Sequence, residues 1–443
     1  MKPDRLCESW IWSLILVLWF SAALVLPLGL RAEETYTFDF SETEKKPYHF
    51  SGYLEARPVH FRADTDSALY KLRFYNRDEG NTLQEFNSKL QLEGSYEKDI
   101  IRLYFKTNTD YKHSYLGGDE QSTFYEAYGS IQPSYSFKID AGKRNFKWGK
   151  GYAWNPAGFI DRPKDPEEPE IGVEGYIALS ADYIRSFSGP LKTISFMPVL
   201  LPVSKHINES FGKRDYLNPA GKIYFLFFDT DIDLIFLAGG SKTTRWGADF
   251  SRNITTNWEI HGEFGWIKDY QRTFIDRFGK SDTDEYNAFS YLIGMRYLTA
   301  RDTTFIFEYY HNDTGFMEDE LRDYFDFIND GYQVYLDTGN VEALQTAAVL
   351  TEKNYGGNNP MRDYLYLRII QKEPFDILYF NPAVTTILNL HDRSFTLAPE
   401  IVYTRITNLE LRLKTSIIVG SDDTEYGEKP NDYRLELRAG YYF

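Results

Sequence analysis

The stretch from Phe146 to Gly175 concentrates the side chains best able to do chemistry. Arg144, Lys147, Lys150, Arg162 and Lys164 crowd beside Asp161, Asp165, Glu167, Glu168, Glu170 and Glu174, with Trp148 and Trp154 interleaved. Opposed charges at such density can build a field across an opening or simply keep a loop in water. Catalysis finds less support. The seven histidines (His49, His60, His113, His206, His261, His311 and His391) are scattered and never at metal-ligand spacing. The sequence contains no phosphate loop, dinucleotide glycine fingerprint, His-Glu-x-x-His or Gly-x-Ser-x-Gly. The expectation is therefore a chain that is not an enzyme and carries neither cofactor nor metal. Asp229-Thr230-Asp231-Ile232-Asp233 has the carboxylates a hard cation wants, but not the glycine and closing glutamate of a calcium loop. A charged turn between two strands fits it better.

Prolines 156, 163, 166 and 169 and several glycines forbid continuous strand pairing through this stretch. Its surroundings alternate with period 2. Leu90, Leu92 and Tyr96 oppose Lys89, Gln91 and Glu93, and Ile101, Leu103 and Phe105 oppose Arg102, Tyr104 and Lys106. The same rhythm runs through 135–141, 258–266 and 289–297. Similar segments begin near residues 50, 68, 122, 173, 191, 221, 231, 243, 303, 362, 376, 394, 408 and 431. Each is near the ~9–11 residues a tilted strand needs to cross a bilayer. A second break lies at Phe316–Pro360. There Leu321, Tyr324, Phe325, Ile328, Tyr332 and Tyr335 recur at helical spacing, which predicts an amphipathic helix interrupted at Gly331. Val341, Leu344, Ala348 and Thr351 continue a weaker face. The expectation is a helical insertion, 317–355, packed on the mouth or interior of whatever the strands build.

Composition narrows what that is. The chain carries 35 Tyr and 33 Phe but only 5 Met, at a mean hydropathy of −0.47. Polar on average, aromatic, and without a long apolar run after residue 32, it fits transmembrane strands that turn apolar residues to lipid and polar ones to a lumen. A formal charge of −16 argues against nucleic acid as a partner. Lys2 and Arg5 precede an apolar run from Trp10 to Leu30, after which Arg31-Ala32-Glu33-Glu34 turns polar. That reads as a signal peptide cleaved after Ala32, rather than a retained anchor. Cys7, the only cysteine, precedes the run, so lipoprotein, disulfide and thiolate-metal readings fall away. In hydrocarbon every backbone N–H and C=O needs a partner, which a helix or a closed sheet alone provides. The fold class expected is all-β: a closed antiparallel transmembrane barrel of 16–18 strands. Residues 33–47 form a short periplasmic leader and 48–443 the barrel.

Two blocks resemble known proteins. Arg434 to Phe443 (RLELRAGYYF) alternates and stops on Phe, with Leu435, Leu437, Ala439, Tyr441 and Phe443 expected outward and Glu436, Arg438 and Tyr442 inward. It resembles the C-terminal signal of outer-membrane proteins, although the usual glycine sits further from the terminus than Gly440. The resemblance implies recognition of Phe443 by the barrel-assembly machinery. Gly142-Lys143-Arg144-Asn145-Phe146-Lys147-Trp148-Gly149, with Asn155-Pro156 and Asp161-Arg162-Pro163, is similar to a block in porin-like bacterial outer-membrane barrels that precedes a folded-in loop. It implies a barrel in the cell outer membrane, in contact with its lipid.

Pore-lining or constriction candidates follow. Arg102, Lys106, Lys138 and Arg144 would form a basic wall. Lys147, Asp161, Arg162, Asp165, Glu167 and Glu168 would line the loop, with the acidic run 165–174 as the opposing wall. The charges would equally suit a solvated loop. Trp148 and Trp154 suit an interfacial aromatic belt better than a platform for sugar rings. The leading expectation is passive or weakly selective passage of a small polar solute. The alternative is a barrel that docks a surface polysaccharide or a periplasmic partner through its helical insertion. Energised import is disfavoured, because about 15 residues before the first strand leave no room for a folded plug.

Overall fold

Period-2 alternation becomes period-2 backbone. The computed structural model describes residues 46–443 apart from Asp78 and Leu116. The signal-peptide expectation for 1–32 lies outside the described residues, as does the leader 33–47 except Lys46 and Pro47. The first nine strands are β1 (Tyr48–Ala63), β2 (Thr82–Lys98), β3 (Ile101–Ser114), β4 (Gly117–Ser134), β5 (Phe137–Arg144), β6 (Tyr176–Ser186), β7 (Leu191–Val203), β8 (Tyr216–Phe227) and β9 (Thr230–Leu237). The second nine are β10 (Arg245–Thr255), β11 (Trp258–Ile275), β12 (Ser281–Leu298), β13 (Thr303–His311), β14 (Asp363–Gln371), β15 (Phe380–Asn389), β16 (Phe395–Tyr403), β17 (Leu409–Val419) and β18 (Asn431–Tyr442).

Each strand pairs with its sequence neighbours in one 18-stranded sheet, and β18 returns to β1. The closing seam is antiparallel, with Tyr53 opposite Tyr442 and Ala56 opposite Ala439. Past the last strand residue, Gly52 N–H donates to the Phe443 carbonyl at 2.7 Å and Phe443 N–H to the Gly52 carbonyl at 3.0 Å. The ladder therefore has no free edge, which is what hydrocarbon demands of a sheet. Along β18 the two faces separate sharply. Leu435 and Leu437 are 41% and 51% exposed, whereas Glu436 and Arg438 are 2% and 6% exposed. On this strand polar residues are inside and apolar ones outside, the reverse of a water-soluble core.

The ends of the cylinder differ. One end carries tight turns such as 99–100, 135–136 and 228–229, while the other carries the connections 64–81, 145–175, 312–362 and 420–430. The hairpin β8–β9 turns on Phe228 and Asp229, both left-handed (φ 47° and 56°), the geometry of a two-residue hairpin loop. The Asp229–Asp233 run is thus a turn and the start of β9, as its composition suggested.

Two expectations are corrected. The segment at 68 is not a strand but helix α1 (Ala68–Phe74), started by Ser67, whose Oγ accepts Tyr70 N–H at 3.3 Å. Its sequence alternates, yet it lies in the β1–β2 connection with Ala68, Tyr70, Leu72 and Phe74 all buried. Nor is the insertion interrupted at Gly331. Helix α2 (Glu318–Thr338) runs straight through it, and α3 (Glu342–Leu350) packs back. A Cβ at Gly331 would lie 2.8 Å from the Ala343 methyl, so glycine there permits close helix packing instead of a break. Leu321, Tyr324, Phe325, Ile328 and Leu344 are buried in one cluster with α1 and with inward residues of β11–β14. The insertion therefore caps the long-loop end.

Candidate functional site: a loop pinned across the lumen

The β5–β6 connection, residues 145–175, folds inward. Asp161 ties its two limbs together: one carboxylate oxygen accepts Phe146 N–H at 3.0 Å and Lys147 N–H at 2.9 Å, the other Trp148 N–H at 2.7 Å. Burial pushes the Asp161 acid above the usual carboxylate range, against the pull of those three donors.

Two inward carboxylates of the barrel wall then hold the descending limb. Glu263 on β11 accepts Lys150 N–H at 2.9 Å, Gly151 N–H at 3.0 Å and Ala157 N–H at 2.6 Å. Glu308 on β13 accepts Ala153 N–H at 2.9 Å and also Tyr152 N–H. His261 Nε2 lies 2.8 Å from Glu308. The clamp needs a glycine. Gly149 has φ +99°, and a Cβ there would stand 2.6 Å from a Glu263 oxygen. Lys164 folds back so that its ammonium donates to the Gly151 carbonyl, and burial lowers its pKa. Together these bonds satisfy an irregular backbone that has no ladder to join.

The loop continues to the far wall. Glu168 meets Arg438 of β18 at 2.6 Å and Lys414 of β17 at 3.5 Å. Glu167 lies 3.8 Å from Arg434, and its carbonyl accepts Lys414 Nζ at 3.0 Å. Burial alone would raise the Glu168 pKa; Arg438 and Lys414 outweigh it and hold the carboxyl at about 2. A segment that leaves β5 and returns to β6 is thus fastened to β11, β13, β17 and β18. It crosses the interior.

The tryptophans are not where sequence reasoning placed them. Trp148 is 1% exposed, packed among Ala157, Phe159, Ile160 and Leu201. Trp154 is 7% exposed, stacked on Tyr310 with centroids 5.0 Å apart, and its Nε1 donates to Asn359 at 3.1 Å. Neither sits in an outer belt, and neither shows a free face to a solute. They are the apolar fasteners of the loop, buried because it is driven inward.

Arg102 and Lys106 on β3, and Lys138 and Arg144 on β5, share the strand phase of the buried Asn108 and Asp140. Lys138 reaches Asp140 at 3.1 Å and Arg144 pairs with the same carboxylate. Arg162 pairs with Glu174 at 2.9 Å, and Asp165 holds the Glu167 N–H at 3.0 Å within its own turn. Lys147 is exposed. The acidic run divides: Glu167 and Glu168 find their cations on β17 and β18, while Glu174 pairs with Lys143 near the end of β5. Sequence reasoning missed Glu263, Glu308, Lys414 and Arg438. All occupy the polar phase of alternating strands, so their inward direction was readable, while the loop they hold was not.

No protein-family model matches this chain, and no curated protein matches it. Among solved structures it is similar to Pseudomonas aeruginosa OccK5 (OpdH), at 10% identity and a TM-score of 0.48, covering 89% of this chain and 98% of that one. It is also similar to P. aeruginosa OccK2 (OpdF) in complex with glucuronate, at 10% identity and a TM-score of 0.49, covering 89% and 98%. Acinetobacter baumannii OccAB3 resembles it at 8% identity and a TM-score of 0.47, covering 89% and 99%. The closed barrel rests on its own ladder of strands.

Proposed function

We propose that this chain is an outer-membrane, porin-like channel through which small hydrophilic solutes pass by diffusion, with selectivity imposed by the pinned loop. One observation carries the reading: inside a closed cylinder with an apolar outer face, residues 145–175 leave β5 and are fastened across a charged interior by inward side chains of β11, β13, β17 and β18. A loop folded into a lumen narrows it, and charges on its rim select among polar solutes. The wall beside the loop tip supports this. There Arg368 lies 2.5 Å from Glu400, Arg412 3.5 Å from Glu400, and Arg57 3.8 Å from Glu436. Long connections would face outside and the short turns the periplasm, as in other outer-membrane barrels.

The docking alternative has no observation in its favour, because the insertion turns its apolar face onto the barrel mouth. Liposome swelling tests the channel reading. Vesicles holding the refolded barrel should swell in isotonic arabinose and progressively less in larger sugars. Absence of swelling with every solute overturns it.

A further inference from the structure

Residues 420–430, the connection between β17 and β18, reach past β16. One carboxylate oxygen of Glu425 accepts the Tyr364 hydroxyl of β14 at 2.6 Å and Asn389 Nδ2 of β15 at 2.7 Å. Tyr364 and Asn389 are partners across the ladder, and both are fully buried. Around that anchor the segment is tied to three further elements. Tyr426 N–H donates to Ser394 Oγ at 3.2 Å, Asn359 Nδ2 donates to the Tyr426 hydroxyl at 3.0 Å, and Glu428 accepts Ala68 N–H of α1 at 2.5 Å. Residues 420–430 thus form a strap over this sector of the long-loop mouth. A cavity of about 230 Å³ has Tyr426 and Lys429 of the strap in its wall together with Asp165 and Glu167 of the pinned loop, so the strap borders the approach to the constriction.

The anchor is a carboxyl group in the wrong place for a charge. Glu425 is 1% exposed, and its second carboxylate oxygen has no hydrogen-bond partner among the described residues. Burying an ionised carboxylate without a paired cation is costly, so such a group takes up a proton or leaves. The groups facing it are Tyr364 of β14, Asn389 of β15, Asp392 in the β15–β16 turn, and Lys429 and Tyr426 of the strap itself; Glu167 of the pinned loop faces Tyr426. Asp392 accepts the Glu425 N–H at 2.7 Å, which sets a second carboxylate beside the first. Lys429 leans on the Tyr426 ring instead, 6.0 Å from its centroid. Burial pushes the Glu425 acid from the usual 4.5 up to about 7; Lys429, Tyr364 and Asn389 offset part of that push, and Asp392 adds to it.

We propose that residues 420–430 are an acid-closed strap with Glu425 as its sensor: protonated, Glu425 holds the strap on β14 and β15, and ionised, it lets the strap lift. The proposal rests on the channel reading and adds regulation to it. The sign follows from comparing the two states. With the strap lifted, Glu425 stands in water and titrates near the usual 4.5; with the strap down, near about 7. Below about 4.5 both states hold the proton, and closure is strongest. Between about 4.5 and about 7 the lifted state alone has lost it, so the closing equilibrium weakens about tenfold per pH unit, and above about 7 it levels off.

The test records single channels of the full barrel in planar bilayers from about pH 4 to about pH 8, scoring time in the closed level apart from noise on the open level. In wild type the closed-to-open ratio should fall roughly 100-fold between about pH 4.5 and about pH 7, then stay flat. Glu425→Gln is neutral at every pH and still offers Tyr364 and Asn389 an acceptor, so its ratio should stay at the high acidic value throughout. Glu425→Ala has no acceptor, and its ratio should stay low throughout. His391 lies in the neighbouring turn with its Nε2 2.7 Å from Asp363, and histidines change charge in the same window. His391→Gln should therefore leave the profile unaltered. A wild-type ratio that ignores pH, a Glu425→Gln profile that follows wild type, a Glu425→Ala ratio as high as that of Glu425→Gln, or a profile abolished by His391→Gln overturns the strap and leaves the channel standing. A bilayer that passes no current at any pH counts against the channel reading and the strap together.

Discussion

Removing the Glu263 carboxylate should loosen the constriction while leaving the barrel intact. In Glu263→Ala, three backbone N–H groups, those of Lys150, Gly151 and Ala157, lose their acceptor together. Leaving a buried N–H without its acceptor costs roughly 1–3 kcal/mol. The three share one acceptor and are not additive, so about 4 kcal/mol is a reasonable total. At ~1.4 kcal/mol per decade, the population with this limb unpinned rises roughly 10³-fold. The strand ladder is untouched, because Glu263 pairs with Asp249 and Leu292 through its backbone. The assay is single-channel recording in planar bilayers. Glu263→Ala should show larger, noisier and shorter-lived conductance levels. Glu263→Gln keeps one acceptor oxygen and should fall between. A Glu263→Ala trace matching wild type in level and noise refutes the idea that this clamp holds the constriction.

Two further outcomes follow from the same contacts. Glu168 has its pKa depressed from 4.5 to about 2, so its link to Arg438 and Lys414 contributes fully above about 4.5 and is lost as pH falls toward 2. Current noise should therefore stay flat from neutral pH down to about 5 and rise below about 4, and Glu168→Gln should be noisy already at neutral pH; noise independent of pH in wild type contradicts this. At the seam, Phe443 places its ring over Gly52, where a Cβ would meet it at 2.4 Å, and its backbone closes the last pair of bonds. Deleting Phe443 should lower the fraction of heat-modifiable, folded protein on electrophoresis, and an undiminished fraction would contradict a role in closure or assembly.

The barrel was legible because alternation is a local property. Of the candidate strand segments, only the one at residue 68 failed, and for a physical reason. Ala68 to Phe74 has the right spacing, but Ser67 caps a helix there and the segment sits on the loop 420–430, with Ala68 N–H donating to Glu428 at 2.5 Å. Gly331 misled in the opposite direction. A glycine weakens an isolated helix, yet in α2 it lets Ala343 approach. The site was less legible because it is made of long-range pairings. That Glu263, Glu308 and Arg438 point inward follows from period 2; that they grip residues 150–168 depends on where a proline-rich loop lands. Trp148 and Trp154 could not be separated from belt residues by type alone, since an indole suits an interface and a dry core equally well.

The account stands on one physical claim: odd and even positions of each strand face different solvents. β17 offers the cleanest test, with Cys7, the only native cysteine, replaced by serine. Single cysteines at Leu413 and Ile417, which are exposed on the outer face, should resist a membrane-impermeant thiol reagent in intact vesicles and be quenched by a lipid-dissolved probe. A cysteine at Arg412, one step away and half-buried on the inner face, should behave the opposite way. Equal labelling at all three positions, or an inverted pattern, would contradict a lipid-embedded barrel with a wet interior.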